Sequence, residues 1–430
     1  MQPLPVLGKG ETPVTLRGAR VVDRCDLLGA APFSDRPDCL FRPFLGPGHR
    51  AALDSLAVWM REAGMSVRLD PAGNLIGRYE GQTPDAPAML IGSHIDSVND
   101  AGRYDGPLGI MLGIELVAGL FAAGRRLPFA VEVIAFGDEE GSRFHTSMLC
   151  SRAVCGQADA RAATLTDGDG ISLRQAMAAF PAFEGVSLAV ETMGRAARDP
   201  ASLLCFLEAH IEQGPVLEDG GEALGVVTAI AGQLRYQLTI TGRAGHAGTT
   251  AMHLRKDALA AAAEAVLAVE QIALAHGGQL VATVGRINAL PGAVNVVPGS
   301  ASFSLDIRSG NERLRHNAAA SILATIEDIV ARRKLQFNQV LVQDLTATPC
   351  DEALVAQLGQ AVRAAGSPGR QMVSGAGHDT MVLASLVPSV MLFLRCEDGI
   401  SHHPAENVMV ADVEAALVAM EHFVDKYTLP

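Results

Sequence analysis

Apolar positions recur at helical spacing in residues 49–64, where Ala52, Leu53, Leu56, Trp59 and Met60 share one face and Gly64 closes the turn. A short strand is predicted over 66–69, followed by a turn at Pro71-Ala-Gly. Residues 88–92 and 129–136 are compact apolar runs bounded by polar or glycine residues, as buried strands are. Between them, 108–123 reads as a helix that is apolar nearly all round and so belongs inside the fold. Strand, helix, strand in that order is a βαβ unit, which favours a mostly parallel sheet covered on both faces.

The pattern changes over 223–345. A strand at 233–241 precedes a helix at 254–275; strands at 280–287 and 301–307 follow, then a helix at 311–333 and a strand near 336–343. The order βαββαβ is that of a ferredoxin-like split unit. It reads as a second domain inserted into the first, with 1–222 and 346–430 forming the discontinuous α/β domain. That domain resumes with a helix at 352–365, a strand at 387–394 and a helix at 411–426.

Composition narrows the class. The 430 residues are 49% hydrophobic but only 4% aromatic, so the core is aliphatic and disorder is excluded. Lys and Arg number 34 against 47 Asp and Glu, a net charge of −13, which argues against nucleic acid and against an anionic membrane surface as partners. The longest apolar run, 107–124, contains Glu115 and several glycines and falls short of the ~20 apolar residues of a membrane span. Met1 to Val6 carries no signal-peptide pattern. Seven scattered cysteines without a CxxC pair suggest free thiols in a reducing compartment, hence a cytoplasmic location.

No G-x-S-x-G elbow, P-loop, H-E-x-x-H or strand-linked G-x-G-x-x-G occurs. What remains is a set of histidines and acids at strand ends. In Gly92-Ser93-His94-Ile95-Asp96, His94 and Asp96 are two apart and face the same way in extended chain, at the carboxyl end of a strand where open α/β sheets place ligands. Asp105 precedes the buried helix and would suit its N-terminus as a plain cap. Asp138-Glu139-Glu140 places three acids in a row, a repulsion relieved either by a cation or by solvent. His210 in Glu208-Ala-His-Ile-Glu-Gln, and His402 and His403 in Ile400-Ser-His-His-Pro, sit at two further strand ends. Singly each piece has an ordinary structural explanation. Jointly they form a mixed imidazole and carboxylate set suited to a zinc-type divalent metal, and a shared carboxylate would accommodate two.

The segments GSHIDSVNDAGRYDG (92–106), FGDEEGSRF (136–144), EAHIEQGPVLE (208–218), GRAGHAGTTAMHLRKDAL (242–259), NVVPGSASFSLDIRS (295–309), SGAGHD (374–379) and GISHHPAEN (399–407) together resemble the dinuclear metallopeptidase/aminoacylase superfamily, in its hydantoinase/carbamoylase amidase branch. The resemblance implies a metallopeptidase-like catalytic domain of mostly parallel sheet, with the inserted domain serving as lid and dimerisation element. It implies two divalent ions per subunit, Zn or Mn, with His94 and His210 on one, Glu140 and His402 on the other, and Asp105 bridging. Asp96 would orient His94, and Glu139 would be the general acid/base. Gln213, His246, Asn295, Arg308 and His378 match substrate-binding positions, with His246 also able to stabilise an oxyanion. The implied activity is hydrolysis of the terminal ureido C–N bond of allantoate or an N-carbamoyl-L-amino acid by a homodimer. A di-zinc peptidase or N-acyl-amino-acid hydrolase is the alternative within the class, and a non-catalytic ligand-binding relative the alternative outside it. Ala251 and His145 depart from residues usual in that branch.

Overall fold

The structure, a computed structural model, describes residues 15–429; Met1 to Val6 lies outside them. The described chain divides into two compact units, one of residues 15–228, 350–372 and 378–429, the other of 229–349 and 373–377. The second unit thus runs over 229–349 with the short return segment 373–377, where the sequence pattern sets 223–345.

In the first unit, helix α1 (Thr15–Leu28) and helix α2 (Pro47–Glu62) precede strands β1 (Ser66–Leu69), β2 (Leu75–Tyr79) and β3 (Ala88–His94). Helix α3 (Pro107–Ala122) leads to β4 (Ala130–Phe136), and β5 (Leu203–Ile211) and β6 (Leu224–Ile230) follow. The sheet order is β1-β2-β4-β3-β5, then strand Ser389–Leu394, then β6. The central pairs β4–β3, β3–β5 and β5 with Ser389–Leu394 are parallel, while the flanking pairs are antiparallel. β3, β4 and Ser389–Leu394 are buried at every position, as two-sided coverage requires.

The βαβ unit is present with boundaries shifted by two residues or fewer. Strand Ser389–Leu394 starts later than the pattern suggests, because Pro388 has no N–H to give a ladder. Of the α2 face, Ala52, Leu53, Leu56 and Met60 are buried. Trp59 is only half-buried, with the Arg24 guanidinium 4.9 Å above its ring. Glu115, the one charge in the apolar helix α3, is buried and accepts a two-pronged bond from Arg20 (2.9 and 2.5 Å). That pairing makes an acid tolerable in the interior. No helix among the described residues is long and apolar enough to cross a membrane.

The second unit contains β7 (Gly232–Thr241), β8 (Gly245–His246), helix Ala258–Leu274, β9 (Val281–Thr283), β10 (Ile287–Leu290), β11 (Val296–Val297), β12 (Ser300–Ser309), helix Glu312–Arg332 and β13 (Gln336–Leu345). Its antiparallel sheet runs β10-β12-β7-β13, with β9 also on β12. Leu234, Leu238, Phe303, Leu305 and Ile307 from alternating strand positions pack with Ala262, Ala265, Ile322 and Ile326 of the two helices. The strand expected at 280–287 is in fact two strands. Between them Arg286 donates its N–H to the Ser304 hydroxyl (3.1 Å), which interrupts the ladder. The first helix starts at Ala258 rather than 254, because the Asp257 carboxylate caps it by accepting the Ala260 N–H.

Candidate metal centre

The carboxyl ends of parallel strands collect the polar groups of the first unit. His94 is the last residue of β3 and His210 the penultimate residue of β5; both are buried. Glu139 and Glu140 follow β4 after a turn, and Asp105 stands just before α3. The helix cap is Gly106, not Asp105, whose carboxylate makes no capping bond. At φ +86°, a Cβ on Gly106 would lie 2.5 Å from the His94 carbonyl and 2.7 Å from its ring, so only glycine lets Asp105 and His94 approach.

Asp105 is the hub. Its Oδ1 lies 3.0 Å from His210 Nε2 and 3.5 Å from His94 Nε2, and its Oδ2 lies 3.0 Å from His402 Nε2. His402 Nε2 is also 3.4 Å from Glu140 Oε1. Three groups of donor atoms each fall within 4.8 Å of one another: His94, Asp105 and His210; His94, Glu139 and Glu140; and Asp105, Glu140 and His402. The other nitrogens of the two buried rings are occupied. Nδ1 of His210 lies 2.9 Å from the Ile211 carbonyl, and Nδ1 of His94 lies 3.1 Å from the Asp96 carbonyl. An Nδ1–H bonded to a carbonyl leaves Nε2 as a lone pair. His210 Nε2 and Asp105 Oδ1, 3.0 Å apart, stand as two ligands would around one cation.

Electrostatics agree with that geometry. Burial alone would raise Asp105, but the imidazoles of His210, His402 and His94 hold it well below the carboxylate range. His402 is raised to about 9, chiefly by its bond to Asp105. Burial pushes Glu139 well above its usual value, with His94 opposing, and brings Glu140 up to about 7 with Asp105 adding to the effect. Packed acids of this kind call for positive charge.

Asp96 is fully buried, and its two oxygens accept the backbone N–H groups of Glu139 (3.0 Å) and Glu140 (3.2 Å), while Oδ1 lies 3.4 Å from His94 Nδ1. Gln213 donates from Nε2 to Asp105 Oδ2 (3.1 Å) and Ser401 (3.2 Å); its Oε1 is buried with no hydrogen-bond partner among the described residues. Gln213 and His402 both adopt positive φ, +58° and +55°. Such strain is typical of residues held for function. His403 is exposed, and its Nδ1 accepts the Ala405 N–H. His378 is buried with its ring 4.5 Å from that of His210. His145, also at positive φ, lines a separate surface cavity of about 440 Å³ with Arg143 and Asp167.

His246, Asn295 and Arg308 belong to the second unit. His246 and Asn295 adjoin on the β8–β11 ribbon, where the Asn295 carbonyl accepts the Ala247 N–H. Arg308 lies on β12, bonded to Asp306 (2.8 Å) and the Gly375 carbonyl (2.6 Å). One buried residue escaped the sequence reading. Glu406 accepts the N–H groups of Tyr104 (2.8 Å) and Asp105 (3.1 Å) and the Ser401 hydroxyl (3.0 Å), tying the His402 loop to Asp105. Its place in the GISHHPAEN block was the available signal.

The profile of peptidase family M20/M25/M40 matches residues 90–426. The chain is 40% identical over 357 residues to the N-carbamoyl-L-amino acid amidohydrolase of Geobacillus stearothermophilus, covering 83% of this chain and 86% of that protein. It is 37% identical over 420 residues to allantoate deiminase 1 of Glycine max, covering 91% and 86%. A crystal structure of a hydantoinase/carbamoylase family amidase from Burkholderia multivorans superposes with a TM-score of 0.85 at 31% identity, covering 96% of this chain and 97% of that one.

Proposed function

Since this chain belongs to peptidase family M20/M25/M40, we propose that it is a metal-dependent amidohydrolase that cleaves the terminal ureido C–N bond of allantoate or an N-carbamoyl-L-amino acid. The observation that carries the reading is the pair of donor groups sharing Asp105. His94, Asp105 and His210 would hold one divalent ion and Asp105, Glu140 and His402 the other, Zn or Mn by the mixture of imidazole and carboxylate. Ions held there would supply Lewis-acid polarisation of the ureido carbonyl and a lowered pKa for water. Glu139 takes the water proton and returns it to the leaving nitrogen, so water and a ureido acid become ammonia and a carbamate, which decays to carbon dioxide and the free amine. Asp96 holds the His94 ring and the Glu139–Glu140 turn. The unpartnered Gln213 Oε1 is an acceptor matched to a ureido N–H. Arg308 suits the substrate carboxylate, with His246, Asn295 and His378 completing recognition.

Ammonia release from allantoate, N-carbamoyl-L-amino acids and N-carbamoyl-β-alanine, measured side by side, tests this. Turnover should vanish on chelation and return with Zn²⁺ or Mn²⁺. Cleavage of dipeptides with no ammonia from any ureido acid would favour the peptidase reading instead.

The titration of His402 sets a further expectation. Beside Asp105 it stays an imidazolium up to about pH 9, whereas a metal needs the neutral ring. Binding therefore expels a proton, and affinity rises with pH between 6.5 and about 9, by up to about tenfold per unit for each proton released. Zn²⁺ titrations of stripped protein at pH 6.5, 7.5 and 8.5 measure the slope; a flat profile contradicts it.

Self-association through the second unit belongs to the same reading. Among the described residues β13 is an edge strand paired only with β7, and Val340, Leu341, Val342 and Leu345 on it are exposed. A long apolar edge invites a second copy. The protein should sediment at twice its chain mass and Val342→Lys as a single chain; identical sedimentation of both forms contradicts an interface there. Seven unpaired cysteines support a reducing, cytoplasmic setting.

A further inference from the structure

Arg42 heads the side chains fully withdrawn from solvent, at 1% exposure. A guanidinium in the interior is costly unless its donors are satisfied. None of the bonds Arg42 makes among the described residues goes to a carboxylate. Nε donates to the Ile95 carbonyl (2.5 Å), and Nη1 donates to the carbonyls of Leu28 (2.8 Å) and Phe33 (3.2 Å). Its main chain is doubly tied to Ser97: the Arg42 N–H donates to the Ser97 hydroxyl (2.9 Å), and the Ser97 N–H to the Arg42 carbonyl (3.1 Å).

Those partners define what the residue does. Ile95 lies between His94 and Asp96, and Ser97 follows Asp96, so Arg42 grips the segment on both sides of Asp96. Asp96 in turn carries the Glu139 and Glu140 N–H groups and faces His94 Nδ1. Leu28 is the last residue of α1, where a cation also answers the carbonyl end of the helix. Burial pulls Arg42 down to about 10, with Asp96 opposing, so the charge persists at neutral pH. A planar fork can meet three carbonyls at once; the single ammonium of lysine cannot hold the same geometry.

We infer that Arg42 is a positioning residue for the metal centre: it clamps the main chain around Asp96, and through Asp96 sets both the His94 ring and the Glu139–Glu140 turn. The inference rests on the reading of those residues as ligands and base. A mere staple between α1 and the sheet would change stability alone, so the test must read the site. Full-length Arg42→Lys, Arg42→Met and Ser97→Ala proteins are stripped of metal and titrated with Zn²⁺ against a chromophoric chelator. In parallel, kcat and KM are measured on the best ureido acid, with thermal unfolding as the fold check.

Arg42→Met should bind Zn²⁺ about 10–100-fold more weakly, the range for losing an outer support of a ligand. Its kcat should fall while KM stays within about twofold, since no substrate contact is touched. Arg42→Lys should fall between that variant and wild type, and Ser97→Ala should weaken Zn²⁺ binding a few-fold. If Arg42→Met does not fold, the other two variants decide. Zn²⁺ affinity and kcat at wild-type values in both, with only the melting temperature lowered, overturn the inference. If wild type hydrolyses no ureido acid, the functional reading falls on its own, and the Zn²⁺ titrations still decide the role of Arg42.

Discussion

Glu139→Gln should keep its full metal complement and lose about 10²–10⁴-fold in kcat, the contribution typical of a positioned general acid–base. Glutamine preserves the size of the side chain and its ability to accept a hydrogen bond, but it cannot take a proton from water. Glu139 is suited to that task because it is buried, with its carboxyl held well above the usual range by desolvation. Its main chain is anchored on Asp96, so the side chain starts from a fixed point. KM should change little, because the variant alters a proton transfer rather than a substrate contact. Metal content by mass spectrometry and steady-state rates on the same preparation check both halves. Retained kcat would remove Glu139 from the chemistry; lost metal would make it a ligand, as its place beside His94 and Glu140 allows.

Asp105→Asn strikes the centre harder. This carboxylate joins the group of His94 and His210 to the group of Glu140 and His402, with one oxygen toward His94 and His210 and the other toward His402. An amide has one acceptor oxygen and no charge. Metal content should fall from two ions to one or none. Affinity should drop by at least about 10²-fold, the upper end of what losing an outer support costs. In the metal-free variant His402 should titrate lower than about 9, because its bond to Asp105 is the main cause of its elevation. Proton NMR of the imidazole resonances reads that shift directly. Two tightly bound ions in Asp105→Asn would exclude a bridging role.

The local part of the architecture was legible because it depends on period. The run 88–92 and the helix from 108 are apolar on all sides, and both lie buried side by side in the first unit. Alternation along 301–307 likewise put Phe303, Leu305 and Ile307 on the covered face of β12. Failures came where a single side chain overrides the period. The Ser304 hydroxyl splits β9 from β10, Asp257 delays a helix, and Arg24 covers an otherwise exposed face of Trp59.

By itself, the sequence marked the histidines and acids whose chemistry suits a metal or a proton transfer, and set them at the ends of apolar strands. Periodicity and turn chemistry act over a few residues, so they are written locally. Only the tertiary structure decided that one oxygen of Asp105 faces His94 and His210 while the other faces His402, that His402 rather than its neighbour does so, and that Arg42 and Glu406 lie behind them. Those contacts join positions as far as 301 residues apart. They exist only once parallel strands bring their carboxyl ends together, and burial then sets the charge on each group.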